Sequence, residues 1–89
     1  MVTNNEAESR YEVHVDGELA GFLEYRDVSG VLALVHTEVG EEYGGQGLGA
    51  QLAKFALDDA QARGVKVSPL CPFVAKYIEK HPEYRVTVR

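Results

Sequence analysis

Apolar and polar residues alternate from Tyr11 to Val39, the pattern of strands with one buried face. Tyr11, Val13 and Val15 share one side and Glu12, His14 and Asp16 the other, so a half-buried strand is predicted there. Asp16-Gly17 supplies a hairpin turn. Residues 19–26 form the return strand, the polar group around Asp27, Ser29 and Gly30 turns the chain again, and residues 31–39 make a third apolar run. Three antiparallel strands are thus expected to open the fold. Residues 1–9 are polar and acidic without a period, which predicts a disordered start with order beginning near Arg10.

The period changes after Gly40. In the stretch EEYGGQGLGAQLAKFALDDAQARG, Leu48, Leu52, Phe55 and Ala56 fall on one helical face, with Gln51, Lys54, Asp58 and Gln61 on another. Gly64 is a natural stop for that helix. Residues 65–70 then read as a short strand, parallel to an earlier one because a helical crossover separates them. Pro72 opens a shorter helix, over residues 72–80, and Pro82 ends it. Residues 84–89 fit either a last edge strand or a tail. The pattern predicts an α+β domain: a mainly antiparallel sheet with one long helix after the third strand and a short helix after the fourth.

With 89 residues there is room for one domain, over residues 10–89, and for no second one. The 45% apolar and 26% charged content suits a globular chain. A net charge of −5 argues against nucleic-acid binding, which needs clustered lysine and arginine. Cys71 is the only cysteine, so no internal disulfide forms and a reducing cytoplasm is the expected compartment. The first ten residues lack the basic and apolar parts of a signal peptide, and no window approaches a membrane span. A monomer or small homo-oligomer is expected.

Gly44, Gly45, Gly47 and Gly49 cluster where a strand hands over to the long helix. Without Cβ atoms the backbone approaches a ligand closely, and the first N–H groups of a helix lack partners inside it. That combination, with the positive end of the helix dipole, suits a phosphate or pyrophosphate. The alternative is a merely tight turn, and Glu41 and Glu42 oppose an anion there. Gly45, Gly47 and Ala50 also match the GxGxxG/A spacing of a dinucleotide fold, but antiparallel hairpins precede the turn and no acidic residue follows at the required distance. The P-loop pattern fails because Ala50 and Gln51 follow Gly49 in place of Lys and Ser/Thr.

These residues resemble the pyrophosphate loop of the GNAT superfamily of acyl-CoA-dependent N-acetyltransferases, Q/R-x-x-G-x-G/A at a strand-to-helix junction. Gly44, Gly47 and Gly49 occupy the patterned positions. Gly44 stands where the family carries Arg or Gln, so that one side-chain contact to phosphate is either missing or taken over by Gln46. Residues 36–84 resemble in particular the compact YjdJ-type subgroup, and the Asp16-Gly17 hairpin replaces the helices that longer members insert between their first two strands. The resemblance implies acetyl-CoA as cosubstrate. Its pantetheine arm would run beside the strand end at Thr37 and Val39, and its pyrophosphate would rest on Gln46, Gly47, Leu48, Gly49 and Ala50, with an unusually open acceptor side.

Acetylating an amine requires removal of a proton from the amine and usually a proton for the departing thiolate. Alternation along the third strand places His36 and Glu38 on one face with Leu32 and Leu34, which makes them candidate bases; the alternative is a polar sheet edge. Cys71 falls at the N-cap of the short helix, where a thiol pKa is lowered. It reads as a nucleophile, as a proton donor, or as an inert packed cysteine. Tyr77 sits on the helix where relatives place a tyrosine acid, and a core tyrosine is the other reading. His14, His36, His81 and Cys71 show no zinc-type spacing, so no metal is expected. His81 reads as a capping or surface residue, and Phe22, Phe55 and Phe73 as core. The expected activity is acetyl transfer from acetyl-CoA to an amine, with a non-catalytic acyl-CoA-binding module or regulator, or a small interaction domain, as the alternatives.

Overall fold

The computed structural model describes all residues 1–89. Its single sheet runs β1 (Val2–Asn5), β2 (Arg10–Val15), β3 (Glu18–Val28), β4 (Val31–Val39), β5 (Lys66–Pro69) in spatial as in chain order. The first four strands are antiparallel, and β5 joins β4 in parallel after the crossover through α1 (Leu48–Arg63). A second helix, α2 (Pro72–Lys80), follows β5. This is the α+β arrangement the residue pattern predicts.

The start of the chain is a correction. Residues 2–5 are an edge strand, not a disordered lead, and four antiparallel strands rather than three open the fold. Ladder hydrogen bonds need only backbone, so a polar segment without apolar period can still pair. The edge is tied down further: the Met1 ammonium donates to the His14 carbonyl at 3.1 Å, and the Tyr25 hydroxyl donates to Asn4 Oδ1 at 2.7 Å. Both hairpin turns have positive φ at two successive residues, Asp16 (50°) with Gly17 (82°) and Ser29 (52°) with Gly30 (79°), the twist that closes two-residue hairpins.

β4 pairs with β3 in two registers. Tyr25 lies opposite Leu34, but Glu24 lies opposite His36, so Val35 is an extra residue on β4. A bulge of one residue reverses the side-chain alternation beyond it. Leu32 and Leu34 point into the core, whereas past the bulge Thr37, opposite the buried Leu23, takes the core side. His36 and Glu38 lie opposite Glu24 and Phe22 on the other face. The expectation that His36 and Glu38 share a face with Leu32 and Leu34 is therefore overturned.

Both helices cover the same face. Leu48, Leu52, Ala53, Ala56, Leu57 and Ala60 of α1 and Val74 and Ile78 of α2 pack with Tyr11, Val13, Leu23, Leu32, Leu34 and Val67 into one core. The molecule is accordingly only 19 Å thick along its shortest axis, about one helix layer on one sheet layer. None of the three phenylalanines belongs to the fully buried set. Phe55 is 37% exposed with its edge against Tyr11, Phe73 is 46% exposed, and Phe22 lies half-buried on the helix-free face under the Arg10 guanidinium. With two helices on one side, the small residues Ala53, Ala56 and Ala60 let α1 sit close to the sheet and leave the rings at its flanks.

Residues 84–89 act as a clasp. A 3-10 segment (Pro82–Thr87) buries Tyr84, Val88 makes a parallel bridge to Val67, and the Arg89 N–H donates to the Val67 carbonyl at 3.0 Å. Two carboxylates of α1 hold the layers together. Tyr11 donates to Asp59 at 2.8 Å from the sheet, and Tyr84 donates to Asp58 at 2.7 Å from the clasp. Burial and then the Asp59 bond push the Tyr11 phenol well above its usual range; the Asp58 bond and then burial push Tyr84 up to about 12.

Replacing Tyr11 by Phe keeps the ring and removes the bond to a charged acceptor, which should lower unfolding free energy by about 1.5–3 kcal/mol. Urea denaturation should show a lower midpoint at an unchanged slope.

Candidate active site

Pairing between β4 and β5 runs from Val31 opposite Lys66 to Leu34 opposite Pro69, and there it stops. The chain turns away through Leu70, and the Cys71 N–H closes the junction on the Leu34 carbonyl at 2.9 Å. β4 continues to Val39 with no strand beside it on that side. The result is a V-shaped opening between the free edge of β4 and the start of α2, one residue from the Val35 bulge. The backbone of Thr37 and Val39 lines this opening.

At the wide end of the V lies the glycine-rich turn. Gly45 (φ 83°) and Gly47 (φ 73°) hold conformations that side chains rarely adopt, and a Cβ on either would meet no protein atom. The turn is thus fixed by backbone geometry, with open space before it. Gly47 is the N-cap of α1, and the first bond of the helix runs from the Gln51 N–H to the Gly47 carbonyl at 3.1 Å. The N–H groups of Leu48, Gly49 and Ala50 therefore face the helix start without intrahelical partners. At Gly49 a Cβ would stand 2.9 Å from the tip of the exposed Phe73 ring, so the ring would have to shift. Gly44 is extended and needs no special conformation, while Gln46 is exposed in the turn.

At the narrow end, Thr37 Oγ1 and Cys71 Sγ are 3.4 Å apart. Cys71 is the N-cap of α2, with Pro72 as first helical residue, and only 4% exposed. Burial alone would raise its pKa. The Thr37 hydroxyl, the N–H groups of Val74 and Phe73 at the helix start and the Thr37 backbone outweigh burial, so the thiol lies below its usual range although it makes no full cap hydrogen bond.

The remaining candidates separate. His36 Nε2 and Glu38 Oε1 are 3.2 Å apart on the helix-free face, 51% and 64% exposed, with the Phe22 ring centroid 6.3 Å from that of His36. They flank the same strand as Thr37 and Cys71 but from the opposite side of the sheet. Tyr77 lies about 9 Å along α2 from Cys71 at the usual helical rise. It is half-buried, stacked on His81 at 4.0 Å, in a cleft of about 230 Å³ with Ala50, Phe73, Lys76 and Lys80. His81 closes the helix, its Nδ1 2.9 Å from the Tyr77 carbonyl oxygen. The residue pattern does not single out the Thr37 side chain, Lys76 or Lys80, although an i, i+4 lysine pair beside two aromatics is visible in it. The largest hollow, about 380 Å³ around Asn4, Tyr25 and Arg63, lies at the far end of α1 from the glycine turn.

A family model described as GCN5-related N-acetyl-transferase matches residues 10–87. Protein NATD1 of Gallus gallus and that of Mus musculus are each 36% identical over 52 residues, 58% of this chain and 47% of theirs. The match thus spans about half the length of these curated relatives. Among solved structures, a GCN5-like protein from Staphylococcus aureus superposes with a TM-score of 0.76 at 24% identity, over 100% of this chain and 87% of its own. The ribosomal-protein-alanine N-acetyltransferase from Brucella melitensis biovar Abortus gives 0.61 at 23%, over 90% and 60%. At those identities the two structures show the shared fold.

Thr37→Val removes the hydroxyl that favours the ionised thiol and keeps the shape of the side chain. Titrating thiolate absorbance near 240 nm should place the Cys71 transition at higher pH in the variant than in the parent. Coincident transitions would mean that Thr37 has no hold on the thiol.

Proposed function

The chain belongs to the GCN5-related N-acetyltransferase family, and from that premise we propose that it transfers the acetyl group of acetyl-CoA to an amine. The observation that carries this reading is the V between β4 and α2, with unpartnered helix N–H groups at one end and, at the other, the Thr37–Cys71 contact and a thiol whose pKa is lowered. A pyrophosphate suits the turn from Gly44 to Ala50, where Gly45 and Gly47 present backbone with nothing in front of it. An extended pantetheine arm, which carries amides, suits the free β4 edge at Thr37 and Val39, since an unpaired strand edge offers alternating donors and acceptors.

Acetyl-CoA supplies the activated acetyl group; the rest is the work of this chain. On the helix-free face, His36 and Glu38 are positioned to take the proton of an incoming amine, directly or through water, and their mutual contact helps keep the imidazole oriented. Across the strand, Cys71 holds a proton for the departing thiolate, with Thr37 fixing its direction. Base and acid are thus kept apart by the thickness of one strand. Of the two acid candidates we favour Cys71 over Tyr77, because Cys71 stands at the narrow end of the V. A second reading, Cys71 as the nucleophile that carries the acetyl group, is favoured by its lowered pKa.

The acceptor side is open: no helix covers the face bearing Phe22, His36 and Glu38, which fits an acceptor that is part of something larger or one chosen loosely. The catalytic domain would include β1 with the rest of the sheet, acting in the cytoplasm as a monomer or small homo-oligomer without metal, nucleic acid or membrane.

Two measurements test the reading. Calorimetric titration with acetyl-CoA should show binding by the parent and a loss of about tenfold or more in Gly47→Val, because the branched side chain both strains a positive φ and fills the space before the helix. A folded variant that binds as tightly as the parent would remove the phosphate assignment.

Cys71→Ala separates the two roles of the thiol. As an acid, Cys71 forms no adduct, and alanine should slow turnover by about a hundredfold or more while acetyl-CoA affinity holds. As a nucleophile it should gain one acetyl group by mass spectrometry, and alanine should abolish both adduct and turnover. Parent-like turnover in the variant would leave Cys71 as packing only.

A further inference from the structure

An acidic chain has to find positive charge somewhere if it is to hold a ligand as anionic as acetyl-CoA. The glycine turn supplies none from side chains: no lysine or arginine occurs between Arg26 and Lys54, and Glu41 and Glu42 precede the turn. Lys54, at the next turn of α1, is already paired with Asp58 at 2.7 Å. The nearest free cations come from α2. Phe73, Lys76, Tyr77 and Lys80 follow the i, i+3, i+4, i+7 spacing that puts them on one helical face. That face forms the wall of the 230 Å³ cleft whose other side is Ala50, the last residue of the α1 start with a free N–H. Lys76 and Lys80 are exposed and neither makes a salt bridge. The same cleft is lined by the exposed Phe73 ring and the stacked Tyr77–His81 pair, flat surfaces of the kind a purine packs on.

We propose that this cleft reads the nucleotide end of the ligand, with Lys76 and Lys80 binding the 3′-phosphate that distinguishes coenzyme A from its dephosphorylated form. The inference rests on the acetyl-CoA reading above and adds a specificity device to it. The backbone at α1 takes the pyrophosphate without side-chain charge, so the discriminating charge contact falls to α2. A second dianionic phosphate beside two unpaired ammonium groups makes charge-assisted hydrogen bonds. Because both lysines are exposed, the contribution is screened by salt.

The test compares acetyl-CoA with 3′-dephospho-acetyl-CoA by calorimetry at low salt and at about 0.5 M salt. The parent should prefer acetyl-CoA by about tenfold or more at low salt, and the preference should shrink at high salt. In Lys76→Gln/Lys80→Gln the preference should fall to about twofold or less, with dephospho-acetyl-CoA affinity near the parent's. The control Arg26→Gln/Arg85→Gln makes the same change in net charge away from the cleft and should keep the preference; circular dichroism checks that both double variants are folded. Equal affinity of the parent for the two ligands would overturn the inference while leaving the cofactor reading intact, and so would loss of the preference in the control as complete as in the lysine variant. Failure of the parent to bind either ligand would instead overturn the cofactor reading, and this inference with it.

Discussion

Everything distinctive about the site follows from β4 losing its partner halfway along. Leu34 is the last residue held on both sides, by Tyr25 of β3 and by Pro69 of β5, and its carbonyl then takes the Cys71 N–H. Beyond it the strand must satisfy β3 alone, and Val35 bulges. Bulges increase local twist and bend the strand that carries them, which helps β4 diverge from the path of β5 and α2. The same extra residue swaps the faces. Thr37 reaches inward to the thiol, and His36 and Glu38 turn out to the helix-free side. Without the bulge, the imidazole and carboxylate would point into an apolar core, where desolvation would disfavour both.

Electrostatically the molecule solves an unusual problem with backbone. The side chains around the glycine turn are acidic or neutral, so any anion held there depends on N–H dipoles, which carry no counter-charge that could pair with the neighbouring glutamates. Helix starts recur at both ends of the V. The one at α1 leaves three N–H groups without partners inside the helix, and the one at α2 turns its N–H groups on the Cys71 sulfur. Only at the mouth of the cleft does formal positive charge enter, on a helix face whose opposite side, Val74 and Ile78, anchors it to the core.

What the sequence discloses is the part of the fold governed by local chemistry. Asp16-Gly17 and the Ser29-Gly30 pair adopt the positive φ angles their composition suggests; Gly64 ends α1 in the left-handed region, and Pro72 starts α2. The glycine turn and the N-cap position of Cys71 are legible for the same reason. Features set by pairing between distant segments are not. β1 has no apolar period because an edge strand needs none, and nothing in the sequence around Val35 marks it as the residue left over when β3 and β4 align. That one residue reverses the facing of His36 and Glu38 that simple alternation predicts. The phenylalanines mislead differently: size suggests core, but the close approach of α1 to the sheet through Ala53, Ala56 and Ala60 leaves room for rings only at the margins.

Placing both helices on one face also decides how the other face must be built. A bare sheet surface in water has to be polar enough to stay soluble yet ordered enough to hold the strands in register. Here Glu12, only 7% exposed, accepts from Arg10 Nε at 2.6 Å and from Asn5 Nδ2 at 3.1 Å, while the Arg10 guanidinium covers the Phe22 ring. The bond to Arg10, though opposed by burial, holds the Glu12 carboxyl below its usual range, so the network stays ionised at neutral pH. It pins β1, β2 and β3 together without a covering layer, and β4 beside them is left free to present His36 and Glu38 to solvent. In a domain of this size a covering helix would have supplied the same rigidity by burying apolar surface, but it would also have closed the face that bears His36 and Glu38.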